Sequence, residues 1–510
     1  MIEIIPGELE LTHLRLIHSD HVEVSLATSA RDLIDKSAAA VAAIARKGEA
    51  AYGINTGFGR LATTHIPFDQ LELLQQNLVL SHAVGVGNPM TKEVVRLMMV
   101  LKIGSLSQGY SGIRYEVIEA LIRLYNANIL PVIPEKGSVG ASGDLAPLAH
   151  LAAVLLGVGE VYHNDQVISA TEGLKLAGMT PIKFAPKEGL ALLNGTQAST
   201  ALALHGLFQA ENLFASAVVS GSLSVEAAAG STVPFDDRIH KIRGHRGQIK
   251  VAEKYLKILT GSEINLSHQD CEKVQDPYSL RCQPQVMGAI LDQINHCAAT
   301  LATEANAVSD NPLVFSETLE VLSGGNFHAE PVAFASDILS IVISEIGALA
   351  ERRIALLIDS SLSGLPPFLV RDGGVNSGFM IAHVTAAALA SENKTLAHPA
   401  SIDSLPTSAN QEDHVSMATF AARKITDIAD NVATILAIES LAAIQGIELR
   451  APLSTTPTLS KVVEMVRKLV PHYAIDHYLA PDIVAAKGLV VNGDLARNYP
   501  GWTLQSGLDG

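Results

Sequence analysis

Residues 331–359 decide the fold, and they read PVAFASDILSIVISEIGALAERRIALLID. Apolar side chains recur there every three or four residues, which places them on one face of an α-helix. The stripe consists of Phe334, Ile338, Ile341, Val342, Ile346 and Leu349. Pro331 stands at the start, where a first helical turn tolerates proline. The pattern predicts one helix far longer than the ~11-residue mean of globular proteins.

Two further stretches, Ser279–Asn306 and Asp413–Ile447, repeat this pattern, and long stripes of this kind indicate a bundle of near-antiparallel helices. Shorter helices are predicted at Phe68–His82, Thr91–Leu106, Tyr115–Asn126 and Leu145–Leu156. Strand signals are few and short: His21–Leu26 and Val161–Ser169, the second a hairpin around Asn164-Asp165. We therefore predict an all-α fold, a long central helical bundle with few short strands.

The composition indicates a large buried surface. Of the 510 residues, 48% are hydrophobic and only 17% are charged, so much of the chain must lie in a core or at subunit contacts. The net charge of −16 argues against binding to nucleic acid or to an anionic membrane.

No internal repeat, low-complexity tract or obvious linker divides the chain, which we treat as one continuous structural unit with three regions. Residues 1–200 form an N-terminal region with glycine-rich loops, 201–450 the central long-helix bundle, and 451–510 a C-terminal helical region. Leu190–Ala210 is the longest stretch without Asp, Glu, Lys or Arg, but its polar residues argue against a membrane span. We expect a helix buried inside the protein.

The three cysteines, Cys271, Cys282 and Cys297, form neither a disulfide framework nor a metal-binding spacing. The N-terminus, Met1–Pro6, lacks the basic and apolar regions of a signal peptide. We therefore expect a cytoplasmic protein without a bound metal.

Three glycine-rich stretches separate the predicted helices: Tyr52–Gly59, Gly137–Asp144 and Ser323–His328. Glycine permits close backbone approaches, and functional groups concentrate on such loops. The second stretch is not a phosphate-binding loop, because Asp144 stands where that loop carries lysine and would repel phosphate. Spacing alone leaves two interpretations open: a functional loop, or a plain turn with Asp144 as the cap of the next helix.

The longer motif around this loop favours the first interpretation. Residues 137–148 read GSVGASGDLAPL and resemble the signature of the aromatic amino acid ammonia-lyases. The resemblance extends over essentially the whole chain and implies the helical bundle of the ammonia-lyase/fumarase type. It also implies that Ala141-Ser142-Gly143 cyclises to 4-methylidene-imidazol-5-one (MIO). Gly143 offers an unhindered amide nitrogen, Ala141 is small, and Ser142 has the hydroxyl group that must leave.

Elimination of ammonia from an amino acid requires an electrophile, because the β-hydrogen is scarcely acidic and the amine leaves poorly. Ordinary side chains supply none, so enzymes usually import a cofactor. An MIO made from the chain replaces it, and we expect no external organic cofactor. Whether the substrate amine or its ring attacks MIO stays open. By resemblance, Tyr52 in YGINTG and Tyr278 in QDPYSLR are catalytic tyrosines.

Four further residues match substrate contacts of the family. Asn194 in LLNGTQ resembles the asparagine that holds the prosthetic group and the substrate, and Phe327 in GNFH resembles the aromatic residue of the pocket. Arg281 would pair bidentately with the substrate carboxylate, supported by Gln275. Without the resemblance, each residue has a structural alternative. Asn194 would be a polar group inside an apolar helix, Arg281 a surface arginine and Phe327 a core phenylalanine.

Ser81-His82 and Glu412 indicate the substrate. Relatives acting on phenylalanine carry Phe-Leu at the first pair and those acting on tyrosine carry His-Leu, and both carry glutamine in place of Glu412. A carboxylate accepts the N–H of an imidazole, whereas a benzene ring has no such donor. The structural alternatives are a helix cap at His82 and a dipole-stabilised glutamate at a helix N-terminus.

The resemblance thus implies a carbon–nitrogen lyase that converts L-histidine to trans-urocanate and ammonia, the first step of histidine degradation. It also implies a homotetramer with active sites shared between subunits. The alternatives are a phenylalanine or tyrosine ammonia-lyase, a 2,3-aminomutase, a fumarase/aspartase relative, or a non-catalytic helical scaffold. The Gly-Ser-Ser…Met-Pro-x-Lys pattern of the fumarases is absent, and the intact tyrosines, Arg281 and Ser142 argue against a scaffold.

Overall fold

The computed structural model describes residues 1–47, 50–268 and 274–497. These residues contain twenty α-helices: α1 (Leu11–Ser19), α2 (Ala30–Lys47), α3 (Leu71–His82), α4 (Lys92–Leu106), α5 (Tyr115–Asn126), α6 (Leu145–Leu155), α7 (Ala170–Leu176), α8 (Glu188–Leu193), α9 (Gln197–Ala227), α10 (Asp237–Arg243), α11 (Arg246–Leu259), α12 (Glu263–Leu266), α13 (Tyr278–Arg281), α14 (Gln283–Ala305), α15 (Glu330–Ile358), α16 (Ser360–Ser363), α17 (Met380–Leu396), α18 (Ala418–Glu448), α19 (Pro457–Arg467) and α20 (Ala480–Val491).

The strands in the described residues are short and form four small sheets. They are β1 (Ile2–Ile4), β2 (Val24–Leu26), β3 (Val86–Pro89), β4 (Leu130–Pro131), β5 (Pro134–Lys136), β6 (Glu160–His163), β7 (Gln166–Ser169), β8 (Leu313–Phe315) and β9 (Glu320–Leu322). β1 and β2 pair in parallel, while β3–β5, β4–β6–β7 and β8–β9 are antiparallel. The predicted all-α class with few short strands is confirmed.

The predicted long helices are present, with one late start. α15 begins and ends one residue before the predicted bounds, and α14 follows the single turn of α13 after a break at Cys282. The predicted start at Asp413 is wrong, because α18 begins only at Ala418. The segment before it forms a loop in which the Ser416 hydroxyl donates to the Gly140 carbonyl at 3.1 Å.

The expectation of one helix over Leu190–Ala210 is also wrong. The chain forms α8 and α9, separated at Asn194–Thr196. Gly195 has a φ of +123°, which a helix cannot accommodate. This break removes the interpretation of Asn194 as a polar group within a helix, since Asn194 has extended dihedral angles (φ −77°, ψ 140°).

The strand predictions are partly confirmed. β6 and β7 form the expected hairpin, and both turn residues, Asn164 and Asp165, have positive φ, as a two-residue hairpin turn requires. Of the predicted strand His21–Leu26, only Val24–Leu26 is extended in a sheet, paired with the unpredicted β1.

The chain divides into two compact units. The first comprises Met1–His205, Ala298–Asp337 and Pro399–Arg423, and the second comprises Gly206–Cys297, Ile338–His398 and residues from Lys424 onward. All nine strands of the described residues lie in the first unit. Its core includes a cluster in which Val41 of α2 packs with Ile54, Leu71 and Val314.

The second unit contains the main lengths of α9, α15 and α18. These helices approach closely at glycines: a Cβ on Gly347 would lie 2.9 Å from the Val432 side chain. The buried carboxylate of Glu439 on α18 accepts hydrogen bonds from Arg353 on α15 and from Ser220 and Ser224 on α9. Removing either partner of this buried ion pair would leave an uncompensated charge.

α15 is long and apolar enough to cross a membrane by length and composition alone. Because 61% of its most apolar window is buried inside the protein, it matches a core helix. Cys282 and Cys297 are thiols, and Cys271 lies outside the described residues.

Candidate active site

A cavity of about 1020 Å³ in the first unit collects most of the predicted site residues. Segments far apart in sequence contribute to its wall, since loops on rigid helices converge there. The predicted residues that line it are Tyr52, His82, Ala141, Ser142, Asn194, Phe327 and Glu412.

The Ala141-Ser142-Gly143 turn is fixed by its backbone. Gly143 has a φ of +73°, and a Cβ there would lie 2.2 Å from the Gly195 carbonyl oxygen, so only glycine fits. The next residue, Asp144, donates its backbone N–H to that same oxygen at 2.8 Å. The turn and the Asn194-Gly195 break are therefore held edge to edge, which directs Ala141 and Ser142 into the cavity wall.

The side chain of Asp144 fixes this turn through hydrogen bonds to neighbouring segments. Its buried carboxylate accepts hydrogen bonds from the hydroxyls of Ser138, Ser199 and Thr419 at 2.8–2.9 Å, and from the backbone N–H of Ser199 at 2.7 Å. Asp144 occupies the N-cap position of α6 but makes no side-chain capping bond. The plain-cap interpretation is therefore wrong, because the carboxylate ties three segments together.

Asn194 is held by a residue that the sequence reasoning missed. The ammonium group of Lys102 donates to the Asn194 carbonyl oxygen at 2.5 Å. Lys102 is 1% exposed, and burial lowers its pKa from 10.5 to about 7. A lysine within the apolar run of α4 was the available signal, but its partner lies 92 residues away. The side-chain Oδ1 of Asn194 is buried without a hydrogen-bond partner, and the residue lines the cavity.

Glu412 lies in a loop, so its interpretation as a helix N-terminal residue is wrong. One carboxylate oxygen accepts the Ser142 hydroxyl at 2.5 Å, and the other accepts the Thr407 hydroxyl at 2.7 Å. The backbones of Thr407 and Glu412 also pair as an isolated bridge. The carboxylate is thus placed directly against the predicted electrophile.

His82 ends α3, as predicted, and also lines the cavity. Its Nδ1 lies 2.8 Å from the Leu78 carbonyl oxygen, a contact that places Nδ1–H as donor. Burial lowers the pKa of His82, while the Leu78 carbonyl and the Glu412 carboxylate oppose that shift. The ring is therefore neutral at pH 7, with Nε2 as an acceptor.

Two aromatic side chains complete this cavity. Tyr52 precedes Gly53, whose φ is +75° and where a Cβ would lie 2.7 Å from the Leu190 side chain. This tight turn fixes the Tyr52 ring, which packs edge-on against Phe58 at 6.4 Å between centroids. Phe327 is half-buried in the loop between β9 and α15.

Gln275, Tyr278 and Arg281 do not line this cavity but line another, of about 650 Å³, in the second unit. Arg281 lies over the Tyr278 ring, 4.5 Å from its centroid. Tyr278 is 70% exposed, and the buried Nε of Arg281 has no hydrogen-bond partner. Arg281 is therefore not the fully exposed surface arginine of the alternative interpretation, because it is half-buried and its Nε–H has no acceptor.

The described residues also contain a cluster of possible metal ligands that the spacing of residues in the sequence did not indicate. His328, Glu330 and His414 present ligand atoms within 4.8 Å of one another. The two rings are stacked at 5.7 Å, and both histidines line the cavity of the first unit. The histidines are 86 positions apart, so rules on ligand spacing do not detect this group.

Known proteins match this arrangement along nearly the whole chain. The family model described as aromatic amino acid lyase matches residues 9–468. The chain belongs to the aromatic amino acid lyase family. A histidine ammonia-lyase of Burkholderia mallei is 70% identical over 483 residues, which are 95% of either chain.

Solved structures agree with this membership. The crystal structure of histidine ammonia-lyase from Trypanosoma cruzi has a TM-score of 0.91 at 40% identity, over 100% of this chain and 99% of that one. The structure of a tyrosine aminomutase from Streptomyces globisporus has a TM-score of 0.91 at 34% identity, over 98% of each chain. The fold therefore does not by itself separate lyase from mutase chemistry.

Proposed function

We propose that this family member is a histidine ammonia-lyase, which eliminates ammonia from L-histidine to give trans-urocanate, the first step of histidine degradation. One observation carries the choice of substrate: Glu412 and His82 line the same cavity as Ala141 and Ser142. A substrate ring that reaches the turn meets a carboxylate and a neutral imidazole, both acceptors for an N–H. The 70% identity to the Burkholderia mallei histidine ammonia-lyase supports the same substrate.

The residues present fit an MIO group made from Ala141-Ser142-Gly143. Gly143 has a left-handed φ, and no other residue type fits beside Gly195, so its amide nitrogen stays unhindered by a side chain. Ser142 presents its hydroxyl at the cavity wall. The group would supply the electrophile that this elimination requires, so no external organic cofactor is needed.

The other residues bind and orient the substrate. Glu412 accepts the ring N–H, and His82 and Phe327 form the wall around the ring. The unpartnered Oδ1 of Asn194 is an acceptor for the substrate ammonium group. Tyr52 is a catalytic tyrosine that takes part in proton transfer, and Tyr278 is the second.

Gln275, Tyr278 and Arg281 act in the active site of another copy of the chain, in a homotetramer with shared sites. The exposure of Tyr278 supports this assignment, because its side chain is available to a neighbouring molecule. Arg281 would pair with the substrate carboxylate through two parallel hydrogen bonds. We propose a cytoplasmic enzyme whose partners are its own copies and L-histidine, without nucleic acid or membrane.

The test is an ultraviolet assay of the purified protein with L-histidine, L-phenylalanine and L-tyrosine in turn. The proposal predicts urocanate from histidine and no cinnamate or coumarate. Chromatography of the same reactions for β-amino acids separates a lyase from a 2,3-aminomutase. The proposal is contradicted if histidine yields no urocanate while phenylalanine yields cinnamate. It is also contradicted if histidine yields no urocanate and a β-amino acid is the main product.

A further inference from the structure

We propose that Glu412 has a second role, as the general acid that removes the hydroxyl group of Ser142 while the MIO group forms. This inference rests on the proposed function, because it assumes that Ala141-Ser142-Gly143 cyclises. It assigns a catalytic step in the maturation of the protein to a residue that also recognises the substrate.

The contact between Ser142 and Glu412 is short and held from two sides. The Ser142 hydroxyl lies 2.5 Å from Glu412 Oε1, at the short end for a hydroxyl and a carboxylate. Thr407 donates its hydroxyl to Oε2 at 2.7 Å and its backbone N–H to the Glu412 carbonyl at 2.9 Å. Glu412 returns its own N–H to the Thr407 carbonyl at 3.3 Å. The carboxylate is therefore fixed against the group that must leave.

Formation of the ring releases two waters, and only the second comes from Ser142. In the first step, the amide nitrogen of Gly143 bonds to the carbonyl carbon of Ala141. The carbonyl oxygen leaves as water with the amide protons of Gly143 and Ser142, and a double bond forms between that carbon and the Ser142 nitrogen. In the second step, the Cα proton of Ser142 passes to solvent, and its electron pair forms the Cα–Cβ double bond while the bond from Cβ to Oγ breaks. Oγ leaves as water with a proton that Glu412 has first taken from solvent, and Glu412 is left as the carboxylate.

A general acid is needed because hydroxide is a poor leaving group, and a positioned acid contributes roughly 10²–10⁴-fold. Asp144, also near the turn, is committed elsewhere. Its carboxylate already accepts four hydrogen bonds, from Ser138, Ser199 and Thr419. Glu412 is the acid whose oxygen touches Oγ.

Loss of the hydroxyl also prepares the site for its substrate. Once Oγ has left, Glu412 Oε1 loses its donor, while Oε2 keeps Thr407. A carboxylate oxygen that faces a cavity without a donor favours a ligand with an N–H, since unpaired polar groups are costly. Maturation thus converts the partner of Ser142 into the acceptor for an imidazole N–H.

The experiment follows maturation by mass rather than by activity. The full chain is synthesised in a cell-free system, samples are quenched at intervals, and the peptide containing Ser142 is weighed. Wild type is compared with Glu412→Gln and, as the matched control, His82→Gln, which changes the same cavity without touching Ser142. Circular dichroism verifies folding of each variant.

We expect the wild-type and His82→Gln peptides to lose two waters at similar rates. The Glu412→Gln peptide should lose at most one water over that period, with the second loss slowed by about 10²-fold. Loss of both waters at the wild-type rate in Glu412→Gln overturns the inference while leaving the proposed function intact. A wild-type peptide of full mass in protein that releases urocanate would instead overturn MIO formation itself.

Should Glu412→Gln not fold, Thr407→Val provides the second test. This variant keeps the carboxyl group but removes the hydroxyl that fixes Oε2. Because the loss of one hydrogen bond corresponds to about a tenfold change in rate, the second water should leave about tenfold more slowly. A wild-type rate in this variant, with unchanged folding, contradicts the assignment.

Discussion

Replacing Ser142 by alanine tests whether this residue is needed for activity but not for the stability of the turn. The variant lacks the bond from Oγ to Glu412 that the uncyclised turn has, and the mature wild-type protein also lacks this bond once Oγ has left. A hydrogen bond to a charged group is worth about 1.5–3 kcal/mol when desolvated, but this carboxylate lines an open cavity and regains water, so we expect a loss of about 1 kcal/mol at most. For a chain of this length, that loss lowers Tm by a few degrees at most.

Gly143→Ala is the contrasting variant. Its φ of +73° disfavours any side chain by about 1–2 kcal/mol. The new Cβ would also lie 2.2 Å from the backbone carbonyl oxygen of Gly195, so the bridge between the two loops has to open. We expect a total loss of roughly 3 kcal/mol or more, several times that of Ser142→Ala.

The assay combines differential scanning calorimetry with release of urocanate from L-histidine. Ser142→Ala should retain a near wild-type Tm and lose at least about 10³-fold in kcat, the scale on which removal of an essential reactive group acts. Gly143→Ala should lose both activity and thermal stability. A Ser142→Ala variant that unfolds as early as Gly143→Ala, or that keeps most of its activity, excludes a purely chemical role for Ser142.

Three further predictions concern other residues. Burial lowers the pKa of Lys102 to about 7, so the folded chain binds fewer protons than the unfolded chain between pH 7 and 10.5, and stability there rises with pH. The Tm of Lys102→Met minus the Tm of wild type should therefore be highest below pH 7 and decrease towards pH 10. A difference that does not change with pH contradicts this prediction. Tyr52→Phe and Tyr278→Phe should each be nearly inactive alone, yet regain part of the activity when co-expressed, because mixed oligomers contain sites with both tyrosines. No recovery in verified mixed oligomers argues against shared sites. Arg281→Lys should raise KM for L-histidine by about tenfold or more, since lysine lacks the bidentate geometry, and an unchanged KM excludes Arg281 from carboxylate binding.

Much of the helical architecture follows from periodicity alone. α15 lies within one residue of its predicted bounds, because a long apolar stripe fixes both type and extent of a helix. Where loops interrupt such stripes the prediction fails. Gly195 with its φ of +123° breaks the expected helix over Leu190–Ala210, and the loop that presents Glu412 delays the start of α18 to Ala418.

The site shows the same division between local and long-range information. Motifs identified the individual residues, and the structure brings seven of them to one cavity. Lys102 could not be found in this way, because its role depends on a contact with Asn194 across 92 residues. The division into residues 1–200, 201–450 and 451–510, and the sharing of sites between copies, stay predictions.

The most direct test of the central claim is the mass of the wild-type peptide that contains Ala141-Ser142-Gly143, taken from protein that is turning over L-histidine. We expect this peptide to lack two waters relative to its sequence in essentially every active molecule. A peptide of full mass from fully active protein would exclude MIO, because the chain would then eliminate ammonia without an electrophile built from this turn.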